Sequence, residues 1–101
     1  MKIEKIESEK LIERKLNEST KVHGGLSIKL AAIFMTGLPD RLILLPNGIC
    51  FFVELKTTNE KARKIQMYIH SLINRLGFKV YIVDTVEGAK AVIQKHLESV
   101  K

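Results

Sequence analysis

Two apolar runs, Leu42 to Leu45 and Ile49 to Val53, flank Pro46-Asn47-Gly48, and so short a connection makes them an antiparallel hairpin. Its register decides what the polar residues at the open end can do. With a three-residue loop, Leu45 pairs with Ile49, and Asp40 falls opposite Glu54 on the same face. A two-residue Asn47-Gly48 loop would instead pair Asp40 with Leu55. The odd-length loop, or an equivalent bulge, is the expectation, with Gly48 left-handed. Glu54 and Lys56 are two positions apart on the second strand, so both leave one face while Leu55 enters the opposite layer.

The flanking sequence supplies the other elements. Ser8 is an N-cap candidate before Glu9, and Ile12 and Leu16 give a helical pattern to about Ser19, preceded by Ile3 and Ile6, which either extend the helix or cover its end. The stripe 9, 12, 13, 16 carries Glu9 and Glu13 beside these apolar residues. Gly24-Gly25 breaks the chain. Leu26 to Phe34 reads as a strand in which Lys29 points away from Ile28, and Thr36 to Pro39 as a turn. Thr57 to Glu60 offers N-caps and a capping box for an amphipathic helix marked by Ile65, Ile69, Leu72, Ile73 and Leu76, ending at Gly77. Phe78 to Asp84 is a strand with an apolar centre. A strand, a helix and a strand in succession predict a right-handed parallel unit, with Phe78 to Asp84 beside Ile49 to Glu54. A last helix from Val86 to about Ser99 presents Ala89, Val92, Ile93 and Leu97 on one side. The order is αβββαβα, without repeat or linker, in a single domain spanning residues 1–101.

A chain of 101 residues has room for one core and few appendages. Its net charge of +6 suits a polyanionic partner without proving one. Cys50 is the only cysteine, which excludes an intrachain disulfide and a cysteine zinc cluster and fits a reducing compartment. The longest apolar run, Leu30 to Met35, is too short to span a bilayer, so a soluble, cytoplasmic protein without membrane attachment is expected. There is no phosphate-binding loop and no GxGxxG, hence no nucleotide cofactor. His23, His70 and His96 lack metal-ligand spacing and read as surface or helix-face residues.

A Glu-X-Lys on a strand is by itself usually a solvent-facing charge pair. Beside Asp40 it acquires a chemistry. Asp40 and Glu54 are hard oxygen ligands suited to Mg²⁺ or Mn²⁺, and the Leu55 carbonyl is placed to add a third oxygen. Lys56 would orient a water or steady charge developing on a phosphate.

The proline-aspartate, spacer and Glu-X-Lys resemble the PD-(D/E)XK signature of the restriction-endonuclease-like superfamily. The wider set of Gly24-Gly25, Lys29, Gly37 to Arg41, Leu45 to Gly48, Phe52 to Lys56, Gln66 and Leu76-Gly77 resembles the virus-type replication-repair nuclease (VRR-NUC) family over nearly the whole chain, in particular its stand-alone phage and bacterial members. The resemblance implies an α/β, restriction-endonuclease-like αβββαβα core, with a mixed central sheet flanked by helices. It further implies a divalent-metal-dependent endonuclease, structure-selective in the manner of Holliday-junction resolvases, acting on branched DNA in replication, repair or recombination as a homodimer. It places a helix-one glutamate at Glu9, with Glu13 as the rival, as a direct or water-mediated metal ligand, and a glutamine near the site at Gln66. Lys29, Arg41, Arg63 and Lys64 become candidate phosphate contacts, each of which could equally be a solvated charge, and Arg41 could instead brace Asp40. The competing readings are a monomeric nicking or flap nuclease and a catalytically silent DNA-binding module.

Overall fold

The computed structural model describes residues 5–31 and 33–98. Helix α1 (Glu9–Val22) leads into strand β1 (Leu26–Lys29), then β2 (Arg41–Leu45) and β3 (Ile49–Leu55), helix α2 (Lys64–Arg75), strand β4 (Val80–Val83) and helix α3 (Val86–Glu98). The αβββαβα order and the mixed sheet are as the sequence predicts. The sheet runs β1-β2-β3-β4, antiparallel across the first two pairings and parallel between β3 and β4.

Ser8 caps α1, its hydroxyl accepting from the Leu11 N–H. Ile3 lies outside the described residues, and Ile6 is exposed ahead of the helix. The hairpin takes the odd register: Leu45 pairs with Ile49 and Arg41 with Val53, so one further step sets Asp40 against Glu54. A single 3-10 turn over Pro46–Gly48 makes the connection, with both Asn47 (φ 70°) and Gly48 (φ 76°) left-handed.

Alternation on β2 and β3 then sorts the side chains. Ile43, Leu45, Phe51, Val53 and Leu55 join Ile12 and Leu16 of α1, Val83 of β4 and Ala89, Val92 and Ile93 of α3 in one buried core. Glu54 leaves the opposite face, where α2 lies over it. Core and polar site thus occupy different layers of the sheet.

Two boundaries depart from expectation. The first strand ends at Lys29 rather than Phe34, because its partner ends there too. Lys29 pairs with Arg41, the last bond runs from the Leu30 N–H to the Asp40 carbonyl, and Pro39 has no N–H to continue the ladder. Ile33 and Phe34 are left exposed. The long helix begins at Lys64, not near Thr57. The Thr57 hydroxyl bonds the Glu7 carbonyl and that of Thr58 the Asp84 carbonyl, while Asn59 is left-handed at φ 69°. Competing side-chain bonds of this kind hold the segment as a loop. Glu7 completes the tie, its carboxylate accepting from the Val86 N–H at the start of α3.

Gly37 explains how the loop before Asp40 reaches α2. At φ 93°, a Cβ there would meet the Ile65 carbonyl oxygen at 2.7 Å and Ile69 Cγ1 at 2.8 Å. Gly37→Ala is expected to cost about 2–3 kcal/mol in urea unfolding, combining a strained φ with a backbone clash.

Candidate active site

Four segments converge on one end of β3. Asp40, just ahead of β2, turns its carboxylate across the hairpin, and Oδ2 accepts from the Leu55 N–H at 2.7 Å. The N–H and C=O of a strand residue leave on the same side, so the Leu55 carbonyl is directed toward Asp40 as well. Lys56 continues the strand, its N–H donating to the Val83 carbonyl at 3.0 Å. The first turn of α2 closes the site from above through Gln66.

Glu54 is the centre of the arrangement and is 1% exposed. Its Oε2 accepts from Gln66 Nε2 at 2.8 Å and lies 3.4 Å from Lys56 Nζ. Gln66 is fixed in turn, because its Oε1 accepts from the Arg63 N–H at 2.8 Å as part of the capping of α2. Lys56 is buried and is also within 3.7 Å of Glu60 Oε1. Oε1 of Glu54 has no hydrogen-bond partner.

The cleft in front of these groups encloses about 490 Å³ and is lined by Glu9, Asp40, Glu54, Lys56, Glu60, Lys61, Arg63 and Gln66. Burial, and then the Asp40 carboxylate, push Glu54 up to about 7 against the opposing pull of Lys56. Desolvation and Asp40 raise Glu9 as well. A slightly larger groove, about 530 Å³, between α1 and α3 is lined by residues such as Lys15, Glu18, Glu87 and Lys90. Among the described residues, the buried polar Glu54, Lys56 and Gln66 line the smaller cleft and no buried polar residue lines this groove.

The sequence candidates separate into two groups. Asp40, Glu54, Lys56, Gln66, Glu9 and Arg63 share the cleft. Glu13 does not: its Oε2 is 3.1 Å from both Nε and Nη2 of Arg41, and Arg41 Nη1 also donates to the Ser27 carbonyl at 3.4 Å. Arg41 is therefore held by α1 and β1 rather than against Asp40. Lys29 and Lys64 are exposed outside the cleft.

Of the histidines read as surface or helix-face residues, His70 and His96 lie on helix faces turned toward the rest of the protein. His96 stacks on Phe51, ring centroids 4.2 Å apart, and shares a 2.9 Å hydrogen bond with the Tyr81 hydroxyl. His70 is buried under α2 with Nε2 3.6 Å from Glu54 Oε1. It follows Gln66 by one helical turn, and that i, i+4 relation was the signal available in the sequence. Glu60 and Lys61 of the cleft wall carried no comparable signal.

Among the described residues, no three histidine, cysteine, aspartate or glutamate side chains stand together in a metal-binding group. A cation at this site would therefore draw on backbone as well as side chains. The donor set suits a hard divalent ion: two carboxylates, one with a buried oxygen lacking any partner, and a carbonyl directed to the same place. The raised Glu54 fits the same arrangement: burial, and then the nearby Asp40 carboxylate, outweigh the pull of Lys56.

No protein-family model matches the chain. A protein named "Putative nuclease p44", from Acyrthosiphon pisum secondary endosymbiont phage 1, is 36% identical over 74 residues, covering 73% of this chain and 80% of its own. A solved structure described as a VRR_NUC domain superposes with a TM-score of 0.80 at 28% identity, over 87% of this chain and 97% of that one. The chain belongs to the VRR-NUC nuclease family. The sequence similarity to both relatives, 36% and 28%, carries the family beyond fold alone. None of the helices among the described residues is long and apolar enough to cross a membrane.

Proposed function

We propose that this VRR-NUC nuclease is an endonuclease that hydrolyses DNA phosphodiesters with Mg²⁺ or Mn²⁺, cuts branched DNA such as four-way junctions, and works as a homodimer in replication, repair or recombination. The observation that carries the catalytic part is the meeting of Asp40, Glu54 and Lys56 in one cleft, with a buried Glu54 oxygen left unpartnered.

Asp40, Glu54 and the Leu55 carbonyl would hold the cation, with Glu9 across the cleft adding a direct or water-mediated contact. Such an ion supplies Lewis-acid polarisation of the scissile phosphate and neutralises its charge. Lys56 contributes a positive charge 3.4 Å from Glu54, from which an ammonium orients the attacking water or donates to a phosphate oxygen as negative charge grows there. Gln66 keeps the Glu54 side chain in one rotamer by bonding Oε2, so the carboxylate is placed before substrate arrives. Arg63 at the rim, and Lys29 and Lys64 farther out, are available for phosphate contacts along the strand. Arg41 acts there only if it leaves Glu13.

Homodimer formation is supported by apolar side chains left in solvent on α2 and beyond it: Met67, Tyr68, Leu76 and Phe78 are all exposed. Sedimentation equilibrium is expected to give twice the monomer mass; a monomer at micromolar concentration would favour a nicking or flap nuclease.

Substrate choice is tested with labelled four-way junction, flap and plain duplex in Mg²⁺ or Mn²⁺. Preferential junction cleavage is the expected result. Flap or duplex cutting keeps the nuclease and changes its substrate.

A further inference from the structure

Among the described residues, only two buried side-chain atoms have no hydrogen-bond partner, Glu54 Oε1 and His70 Nε2. They face one another at 3.6 Å, beyond hydrogen-bond range. Both side chains are more than nine-tenths buried. Polar atoms sealed from water are normally paired, so two adjoining exceptions beside a catalytic cleft call for a cause.

We propose that His70 is a positioning residue for Glu54, donating its Nε2–H to Oε1 when the carboxylate is engaged with a divalent cation. The proposal rests on the nuclease reading of the cleft and assigns His70 a part that its place on α2 does not by itself require.

The geometry supports it in three steps. Gln66 and His70 stand one turn apart on the buried face of α2, and they address different oxygens of the same carboxylate, Oε2 and Oε1. Together they can fix both rotation and tilt of the group, which a single bond cannot do. An imidazole with its proton on Nε2 has an N–H placed toward Oε1, and neither atom has another partner. Oxygen atoms have two lone pairs, so a bond from His70 to Oε1 leaves another direction open for a cation. Contacts of this kind are often long before ligand arrives and shorten in the complex. Outer partners of metal-binding carboxylates typically set affinity by 10–100-fold.

The test uses the whole chain without DNA. Mn²⁺ binding is measured by calorimetry for the wild type, His70→Leu, which keeps bulk without a donor, and His70→Gln, which restores an amide N–H near the position of Nε2. Separately, the His70 Nε2 ¹⁵N resonance of the wild type is followed as Mg²⁺ is added. The expected result is a loss of about tenfold or more in Mn²⁺ affinity for His70→Leu, recovery to within about threefold of wild type in His70→Gln, and a Mg²⁺-dependent shift of the Nε2 resonance. Wild-type affinity in His70→Leu would overturn the proposal, as would equal loss in both variants, which would assign the effect to packing of the ring. Should His70→Leu fail to fold, the His70→Gln affinity and the resonance decide: a silent resonance, or a His70→Gln protein weakened tenfold, counts against the hydrogen bond. A wild type that binds no Mn²⁺ would overturn the metal reading, and this proposal with it; loss confined to the His70 variants leaves the nuclease reading intact.

Discussion

Glu54→Ala and Lys56→Ala are each expected to lower the rate of DNA cleavage by about 10²–10³-fold or more while leaving the protein folded. They should fail in different ways. Glu54 is a cation ligand in this scheme, so its removal shifts the Mg²⁺ or Mn²⁺ dependence to higher concentration as well as lowering the maximal rate. Lys56 cannot be a ligand as an ammonium, and it acts on the attacking water or the phosphate. Lys56→Ala therefore lowers the rate at saturating cation and leaves cation binding nearly unchanged. The double variant should be little worse than the poorer single one, because groups acting on one transition state are not additive. Single-turnover cleavage of a labelled junction over a cation titration measures all three. A Lys56→Ala protein that recovers full rate in excess cation would assign Lys56 a structural part only.

The second large effect is on stability, and its sign is the reverse of the usual salt-bridged carboxylate. Glu54 ionises at its ordinary value, 4.5, in the unfolded chain and at about 7 in the folded one. Between those values the folded state holds a proton that the unfolded state has released. Stability from this residue is complete below 4.5 and is lost as pH rises toward 7, by an amount on the order of 3 kcal/mol. Without divalent cation, the difference in unfolding free energy between wild type and Glu54→Gln should thus move in favour of the glutamine variant from pH 4.5 to 7, then level off. A cation held at the site favours the ionised form, so apparent Mn²⁺ affinity of the wild type should rise over the same interval. A flat difference profile would show that Glu54 ionises normally, and would remove the electrostatic part of the case for a cation.

The features that were legible in the sequence are those set by local rules. A turn of three residues between two apolar runs determined the hairpin register, and the register brought Asp40 to Glu54. Period-two alternation separated Leu55 from Glu54, and Ser8 and Gly77 marked two helix ends by cap chemistry. What sequence missed depends on contacts between distant segments. Thr57 and Thr58 resemble helix caps until Glu7 and Asp84 are brought beside them, so the start of α2 was read too early. The apolar run after Leu30 looks like strand until Pro39 denies it a partner. Glu13 and Glu9 are equivalent on a helical wheel; only the position of Arg41 on the neighbouring strand tells them apart. His70 is marked in the sequence only by its place one turn after Gln66, and its environment is defined by which face of α2 meets the sheet. Asp40, Glu54 and Lys56 could be grouped from the hairpin alone, Glu9 and Gln66 came with the family resemblance, and His70 had neither.

The most direct test of the central claim is cleavage of a labelled four-way junction by the wild type and by Asp40→Asn, with Mn²⁺ and again with chelator. Asp40→Asn keeps an oxygen to accept from the Leu55 N–H and removes the charge, so the fold is preserved and the site is not. The expected result is cleavage by the wild type that disappears in chelator, with junction binding but no cleavage by Asp40→Asn. A wild type that binds junction, flap and duplex yet cuts none of them in either metal, or an Asp40→Asn protein that cuts at the wild-type rate, would contradict it; the first outcome would make the chain a silent DNA-binding module of the VRR-NUC fold.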